Sequence, residues 1–142
     1  MVKKTTVVLV GGCFDVLHPG HVIFLGKAKR LGDKLVVLLE SDEKVSLLKG
    51  KNRPIHTQKD RARILSALKA VDQVISLPFM ETDAQYEQLI AKLRPDIIAV
   101  TDGYANVKHH RRVAETVGAK LKYVTGVVGN YSSTGLLKEI LV

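Results

Sequence analysis

Residues 6–25 read TVVLVGGCFDVLHPGHVIFL. An apolar run, Thr6 to Val10, carries few polar groups and suits a strand buried on both faces. Gly11 and Gly12 then let the backbone turn and approach a ligand closely. Pro19 has no N–H to lose in the first turn of a helix, and Val22, Leu25, Ala28 and Leu31 continue a helical apolar spacing. His18 and His21 therefore stand at the entrance of a helix that follows directly from a strand. The helix start holds free N–H groups and about half a unit of positive charge, and two imidazoles add ring donors there. A phosphate group fits that convergence. Read without a ligand, the same histidines simply cap the helix. A zinc site is the weaker reading, because Cys13 is the sole cysteine and nothing nearby completes a four-ligand spacing.

Working outward, apolar runs alternate with helical patterns along the chain. Strands are expected near Thr6 to Val10, Leu35 to Leu39, Gln73 to Leu77, Ile97 to Val100 and Leu121 to Val124. Helices are expected near Gly20 to Leu31, Glu43 to Leu48, Thr57 to Lys69, Asp83 to Leu93 and Lys108 to Val117, with a last one after Ser132. Thr57 with Asp60 resembles a capping box, Gly32 and Gly118 suit helix C-termini, and Arg94-Pro95 ends a helix. Such alternation predicts parallel pairing and right-handed crossovers. The expected fold is α/β: a Rossmann-like, doubly wound, five-stranded parallel sheet forming a single domain over residues 1–142. Sheets of this kind bind ligands beyond the carboxyl ends of their strands, which is where the Gly11 to His21 segment falls.

The formal net charge of +8 calls for anionic partners, and Lys49, Lys51, Arg53, Lys59, Arg61 and Arg63 concentrate part of it. Nucleotides suffice. A nucleic-acid platform is disfavoured, since aromatics make up only 5% of the chain and none interleave with the basic residues. No apolar stretch nears the ~20 residues of a membrane span, no signal-peptide pattern opens the chain, and one cysteine is compatible with a reducing compartment. A cytoplasmic protein is expected. Cys13 reads as a buried, inert thiol beside the turn ahead of one that thiol reagents modify, and His56 and His109-His110 read as solvated or helix-end residues that could also meet phosphates.

Gly12, Phe14, Asp15, His18, Gly20 and His21 together resemble the Gly-x-Phe-Asp and His-x-Gly-His elements of the cytidylyltransferase-like nucleotidyltransferase superfamily. The resemblance continues through Gly32-Asp33, Leu48-Lys49-Gly50-Lys51, Arg53-Pro54, Arg61, Val71-Asp72 and Ser132-Ser133-Thr134, nearly the whole chain. Within the superfamily the chain is most similar to the adenylyltransferase domain of ADP-heptose synthases, ahead of archaeal FAD synthases and glycerol-3-phosphate cytidylyltransferases. The cytidylyltransferases usually carry an arginine shortly before the Ser/Thr element, where Val127 to Tyr131 has none, and FAD synthases often carry a cysteine there.

The resemblance implies transfer of a nucleoside monophosphate, AMP from ATP ahead of that of another nucleoside triphosphate, to a phosphorylated small molecule such as a sugar 1-phosphate, with Mg²⁺ or another divalent cation accompanying the triphosphate. His18, His21 and Lys49 take the catalytic places. Gly12, Cys13, Phe14, Asp15, Gly20, Lys51, Arg61, Asp102, Ser132, Ser133 and Thr134 take the nucleotide-binding ones. Several of these have a plainer reading. Asp15 either assists Mg²⁺ or buttresses the turn, Arg61 either approaches phosphates or forms a structural ion pair, Lys49 and Lys51 could be surface charge, and Ser132 could be an ordinary helix cap. No metal ligand is assigned. Relatives often carry a glycine-rich acidic segment where Val100 to Asn106 stands, which leaves base and acceptor contacts open there. A homodimer follows from the resemblance alone, and a nucleotide sensor without turnover is the alternative of another class.

Overall fold

The computed structural model describes residues 4–101 and 107–125. Five strands, β1 (Val7–Gly12), β2 (Lys34–Leu39), β3 (Gln73–Ser76), β4 (Ile97–Thr101) and β5 (Lys120–Thr125), alternate with helices α1 (Pro19–Lys29), α2 (Asp42–Lys49), α3 (Gln58–Ser66), α4 (Asp83–Leu93) and α5 (Val107–Val117). The strands form one parallel sheet in the order β3-β2-β1-β4-β5. The expected fold is the one observed, and the chain reverses its direction of winding between β1 and β4.

Side-chain alternation explains why the sheet is covered on both sides. Val8 and Val10 of β1 and Leu35, Val37 and Leu39 of β2 face one core with Leu25, Ala28 and Leu65. Leu9, Val36 and Leu38 face the other, against Tyr86, Leu89 and Ile90 of α4. A period of two with both phases apolar is the pattern of a central parallel strand. Farther along, Ile98 packs with Val113 and Ala114 of α5.

The amino-terminal edge of the sheet is closed by three aspartates, each standing just before one strand and accepting an N–H at the start of its neighbour. Asp33 takes Thr6 N–H at 2.8 Å, Asp72 takes Leu35 N–H at 2.7 Å, and Asp96 takes Val7 N–H at 2.8 Å. Charge-assisted bonds of this kind satisfy donors the ladder leaves over.

Some boundary signals act differently from their reading in the sequence. α1 ends at Lys29 with Arg30 as its cap, and Gly32 lies beyond the cap. A Cβ at Gly32 would stand 2.8 Å from the Thr6 carbonyl oxygen, so the residue serves close packing against the start of β1. Gly118, by contrast, does take a left-handed φ of 77°, and Arg94 closes α4 at φ 50°. Thr57 caps α3 by accepting the Asp60 N–H, whereas the reciprocal box lies at Thr82 and Gln85. α3 stops at Ser66, short of the expected Lys69, as tight turns from Leu65 to Val71 carry the chain to β3. The expected helix after Ser132 lies outside the described residues. Among the described residues no helix is long and apolar enough to cross a membrane.

Candidate active site

The turn after β1 is tied down from three directions. Glu40 N–H, at the exit of β2, donates to the Gly12 carbonyl at 3.1 Å. Arg61 Nη1 donates to the Cys13 carbonyl at 2.7 Å. Asp15 is buried, and its carboxylate accepts Arg53 Nε at 2.8 Å, Ile55 N–H at 2.7 Å and His56 N–H at 3.0 Å. These donors hold its pKa below the usual carboxylate range against the opposing effect of burial. The restraint is needed because Phe14 (φ 46°) and the β-branched Val16 (φ 54°) both sit in left-handed conformations that L side chains resist. A Cβ at Gly12 would meet the Phe14 ring at 2.9 Å, so the turn requires glycine there.

The restrained turn delivers the chain into α1 with His18 as N-cap and Pro19 in the first turn. His18 N–H donates to Nδ1 of His21 at 3.2 Å, and the rings stack with centroids 3.7 Å apart at 22°. The Phe14 ring meets His21 edge-on at 5.5 Å. Burial, then the neighbouring His18 and Lys49, push the His21 pKa down to about 4, and burial lowers that of His18. Both rings are neutral at pH 7. With Nδ1 of His21 accepting, its proton resides on Nε2, which makes that nitrogen a hydrogen-bond donor. Gly20 occupies the second position of the helix. α2, α3 and α4 each carry Asp or Glu in the first turn, whereas α1 and α5 carry none, so no acidic side chain offsets the positive end of α1.

Lys49 ends α2, and Gly50 behind it adopts φ 114°, ψ 163°, a conformation restricted to glycine. The Lys49 side chain is exposed, and its charge acts on both His21 and Cys13. Lys51 is exposed and makes no side-chain hydrogen bond or ion pair with the described residues. Cys13 is half-buried, and burial raises its thiol pKa, which keeps it protonated and unreactive.

Of the two readings of Arg61 and Asp15, the described contacts are those of braces. Arg61 is 1% exposed and also donates to the His56 carbonyl at 3.1 Å and to Asp42 at 2.7 Å. Asp15 has its oxygens taken by N–H donors, and no group of three His, Cys, Asp or Glu among the described residues could hold a metal. Mg²⁺ prefers phosphates and a few carboxylates, and the described residues form no cage of their own for it. Asp102, Ser132, Ser133 and Thr134 lie outside the described residues.

Four contributors escaped the sequence reading. Arg53 reads in the sequence as part of the basic cluster and of a motif, not as the partner of Asp15, and Asp42 is the buried Arg61's ion-pair partner. Gln58 Nε2 donates to Leu39 and Leu77 carbonyls, tying the carboxyl ends of β2 and β3. Glu40 follows the apolar run of β2, and an acidic residue leaving a buried parallel strand is a signal for the ligand edge.

The model of the cytidylyltransferase-like family matches residues 9–126. The chain belongs to the cytidylyltransferase-like family. Curated relatives include the bifunctional protein HldE of Magnetococcus marinus, 43% identical over 94% of this chain and 27% of that protein. The HldE of Pseudomonas fluorescens is 38% identical over 95% of this chain and 28% of that protein. The chain thus spans between a quarter and a third of these relatives. Among solved structures, a lipopolysaccharide core biosynthesis protein from Thermoplasma volcanium superposes with a TM-score of 0.67 at 26% identity, covering 91% of this chain and all of that one. A pantoate-β-alanine ligase from Francisella tularensis, at 14% identity, TM-score 0.66 and coverage of 96% of this chain and 67% of that one, shares the fold. In this cytidylyltransferase-like chain the matched segment contains both histidines, Lys49 and the braces around them.

Proposed function

We propose that the chain is a nucleotidyltransferase that moves AMP from ATP to a sugar 1-phosphate of the heptose 1-phosphate kind. The observation that carries the reading is the pair of neutral, stacked imidazoles at the start of α1, on a braced turn at the exit of β1. Similarity to HldE proteins at 38–43% identity supports the adenylyl donor and the heptose-type acceptor.

An oxygen of the acceptor phosphate attacks the α-phosphorus of ATP. The bond from that phosphorus to the oxygen bridging the β-phosphate breaks, and pyrophosphate leaves with the electron pair. The nucleophile is already an anion and needs no general base. The protein aligns the two phosphates and offsets developing charge. His21 donates through Nε2 to a phosphoryl oxygen, α1 adds its N-terminal N–H groups and dipole, and Lys49 adds a mobile charge. Neutral imidazoles suit the task because they bind without needing a proton from solution at pH 7. Mg²⁺ comes with the triphosphate and neutralises its oxygens.

The test is pyrophosphate release with Mg²⁺, with ATP or CTP supplied separately against heptose 1-phosphate, mannose 1-phosphate, FMN and glycerol 3-phosphate. Release with ATP and heptose 1-phosphate, lost in His21→Ala, is expected. Strong release with CTP, or with FMN in preference to the sugars, replaces the acceptor assignment. ATP binding with no release from any acceptor marks a sensor.

A further inference from the structure

Across β1 from the β1/β4 crevice, a second polar wall stands at the same sheet edge. Glu40 leaves β2 half-buried, and the Tyr86 hydroxyl from α4 donates to its two carboxylate oxygens at 2.8 and 3.1 Å. Lys44 of α2 places its ammonium 5.5 Å from the Tyr86 ring centroid and 5.1 Å from that of Phe79. The exit of β2, α2 and α4 thus meet around one carboxylate, with Phe79 of the β3–α4 connection against Lys44.

Among the described residues the Tyr86 hydroxyl is the one side-chain donor that Glu40 receives. A carboxylate has about four acceptor positions, so most of its capacity is left over. Burial raises the Glu40 pKa, the direction expected of a carboxylate short of donors. The wall also adjoins the reaction site: Glu40 N–H holds the Gly12 carbonyl, and the charge of Glu40 acts on Cys13. A negative side chain repels phosphates, which the histidines and Lys49 serve on the other flank. What suits it is the uncharged, hydroxyl-bearing part of a phosphorylated molecule.

We infer that Glu40, held by Tyr86, is the specificity residue that accepts hydrogen bonds from vicinal hydroxyls of the acceptor. The inference rests on the nucleotidyl-transfer reading above and names the chemistry its acceptor must carry: a phosphorylated polyol or sugar. Glu40 stands just beyond β2, on the side of β1 away from β4; the ribose of ATP offers the same hydroxyls, and the KM for ATP set against that for the acceptor separates the two.

The experiment measures KM for ATP and for each acceptor turned over, in wild type, Glu40→Gln and Tyr86→Phe. Gln retains an oxygen for the Tyr86 hydroxyl and keeps the brace, while the charge is lost. Glu40→Gln is expected to raise acceptor KM about 10- to 100-fold, as loss of charge-assisted hydrogen bonds does, with ATP KM within about twofold of wild type. Tyr86→Phe leaves the carboxylate and should raise acceptor KM less. A rise in ATP KM instead assigns Glu40 to the ribose, and equal effects of both variants on both substrates mark a merely structural brace. Either result overturns the inference. If wild type turns over no acceptor, the reading of the reaction fails by itself. Calorimetric titration of heptose 1-phosphate, with a non-hydrolysable ATP analogue present, then decides the carboxylate's role: tighter binding to wild type than to Glu40→Gln upholds it, and equal or absent binding overturns it.

Discussion

His21 shows how one side chain is tuned by what surrounds it. Its Nδ1 receives a backbone N–H, its ring is stacked on His18, and burial drives its pKa down to about 4. An imidazole in that state donates from Nε2 and stays neutral throughout the physiological range. Removing one such donor to a phosphoryl transition state costs about 10²- to 10³-fold in rate. His21→Ala is therefore expected to lower kcat by that factor in the pyrophosphate assay, while far-ultraviolet circular dichroism stays that of wild type. The anion should also move the group itself. When a triphosphate binds beside it, the charged imidazolium gains a partner, and the pKa rises from its ligand-free value. Proton NMR of the ring protons should locate the ligand-free midpoint near 4 and a higher one with ATP bound; a ligand-free midpoint at the ordinary 6.5 contradicts the buried geometry.

Elements matter here through the way separate segments brace one turn. Asp15 and Arg53 lie 38 positions apart, yet their side chains are 1% and 9% exposed and bonded at 2.8 Å. Breaking a buried pair by deleting one partner leaves the other charge without compensation, at a cost of about 3–5 kcal/mol. The two deletions are not equivalent. Asp15 also holds the Ile55 and His56 N–H groups, which Arg53 does not replace. Asp15→Ala is thus expected to lose about 3–5 kcal/mol in urea unfolding and Arg53→Met less, since that variant leaves Asp15 two backbone donors. Equal losses would mean that the backbone bonds contribute nothing. This bracing also marks the limit of what the sequence discloses. The strands, the helices and the place of His18 and His21 follow from local periodicity, glycine and proline, which act within a few residues. The partner of Asp15, the burial of Arg61 and the wall at Glu40 depend on segments that meet only after folding, and residue type alone leaves brace and ligand contact equally open. Gly32 is instructive, since its position after a helix reads as a cap, while its reason is the approach of Thr6 from another strand.

At the scale of the whole molecule, these groups set how stability responds to acid, and their signs differ. His21 has a folded pKa below its unfolded value of about 6.5. As pH falls through 6.5 the unfolded chain takes up a proton that the folded chain refuses, so stability is lost progressively until about 4, where the folded ring also protonates. His18, lowered as well, adds to the same window. Asp15, Asp72 and Asp96 have lowered folded values, so their contribution is complete above the unfolded value of 3.8 and disappears as pH drops through the folded ones. Glu40 opposes both: its raised folded pKa means the folded chain binds its proton first, which returns stability as pH falls toward 4.5. The wild-type curve is the sum, and substitution separates it. His21→Asn cannot titrate, so its urea-unfolding free energy, compared with wild type at each pH, should fall less steeply between pH 6.5 and 4. Below pH 3.8 the two proteins should lose stability in parallel, because the aspartates at the sheet edge and under the turn are common to both. Glu40→Gln should show the reverse difference, a steeper loss than wild type on approaching pH 4.5. Parallel curves for all three proteins above pH 4.5 would show that neither side chain is held in the folded chain at a pKa different from its unfolded one, and would remove the electrostatic basis for a neutral histidine pair facing a donor-poor carboxylate across one strand.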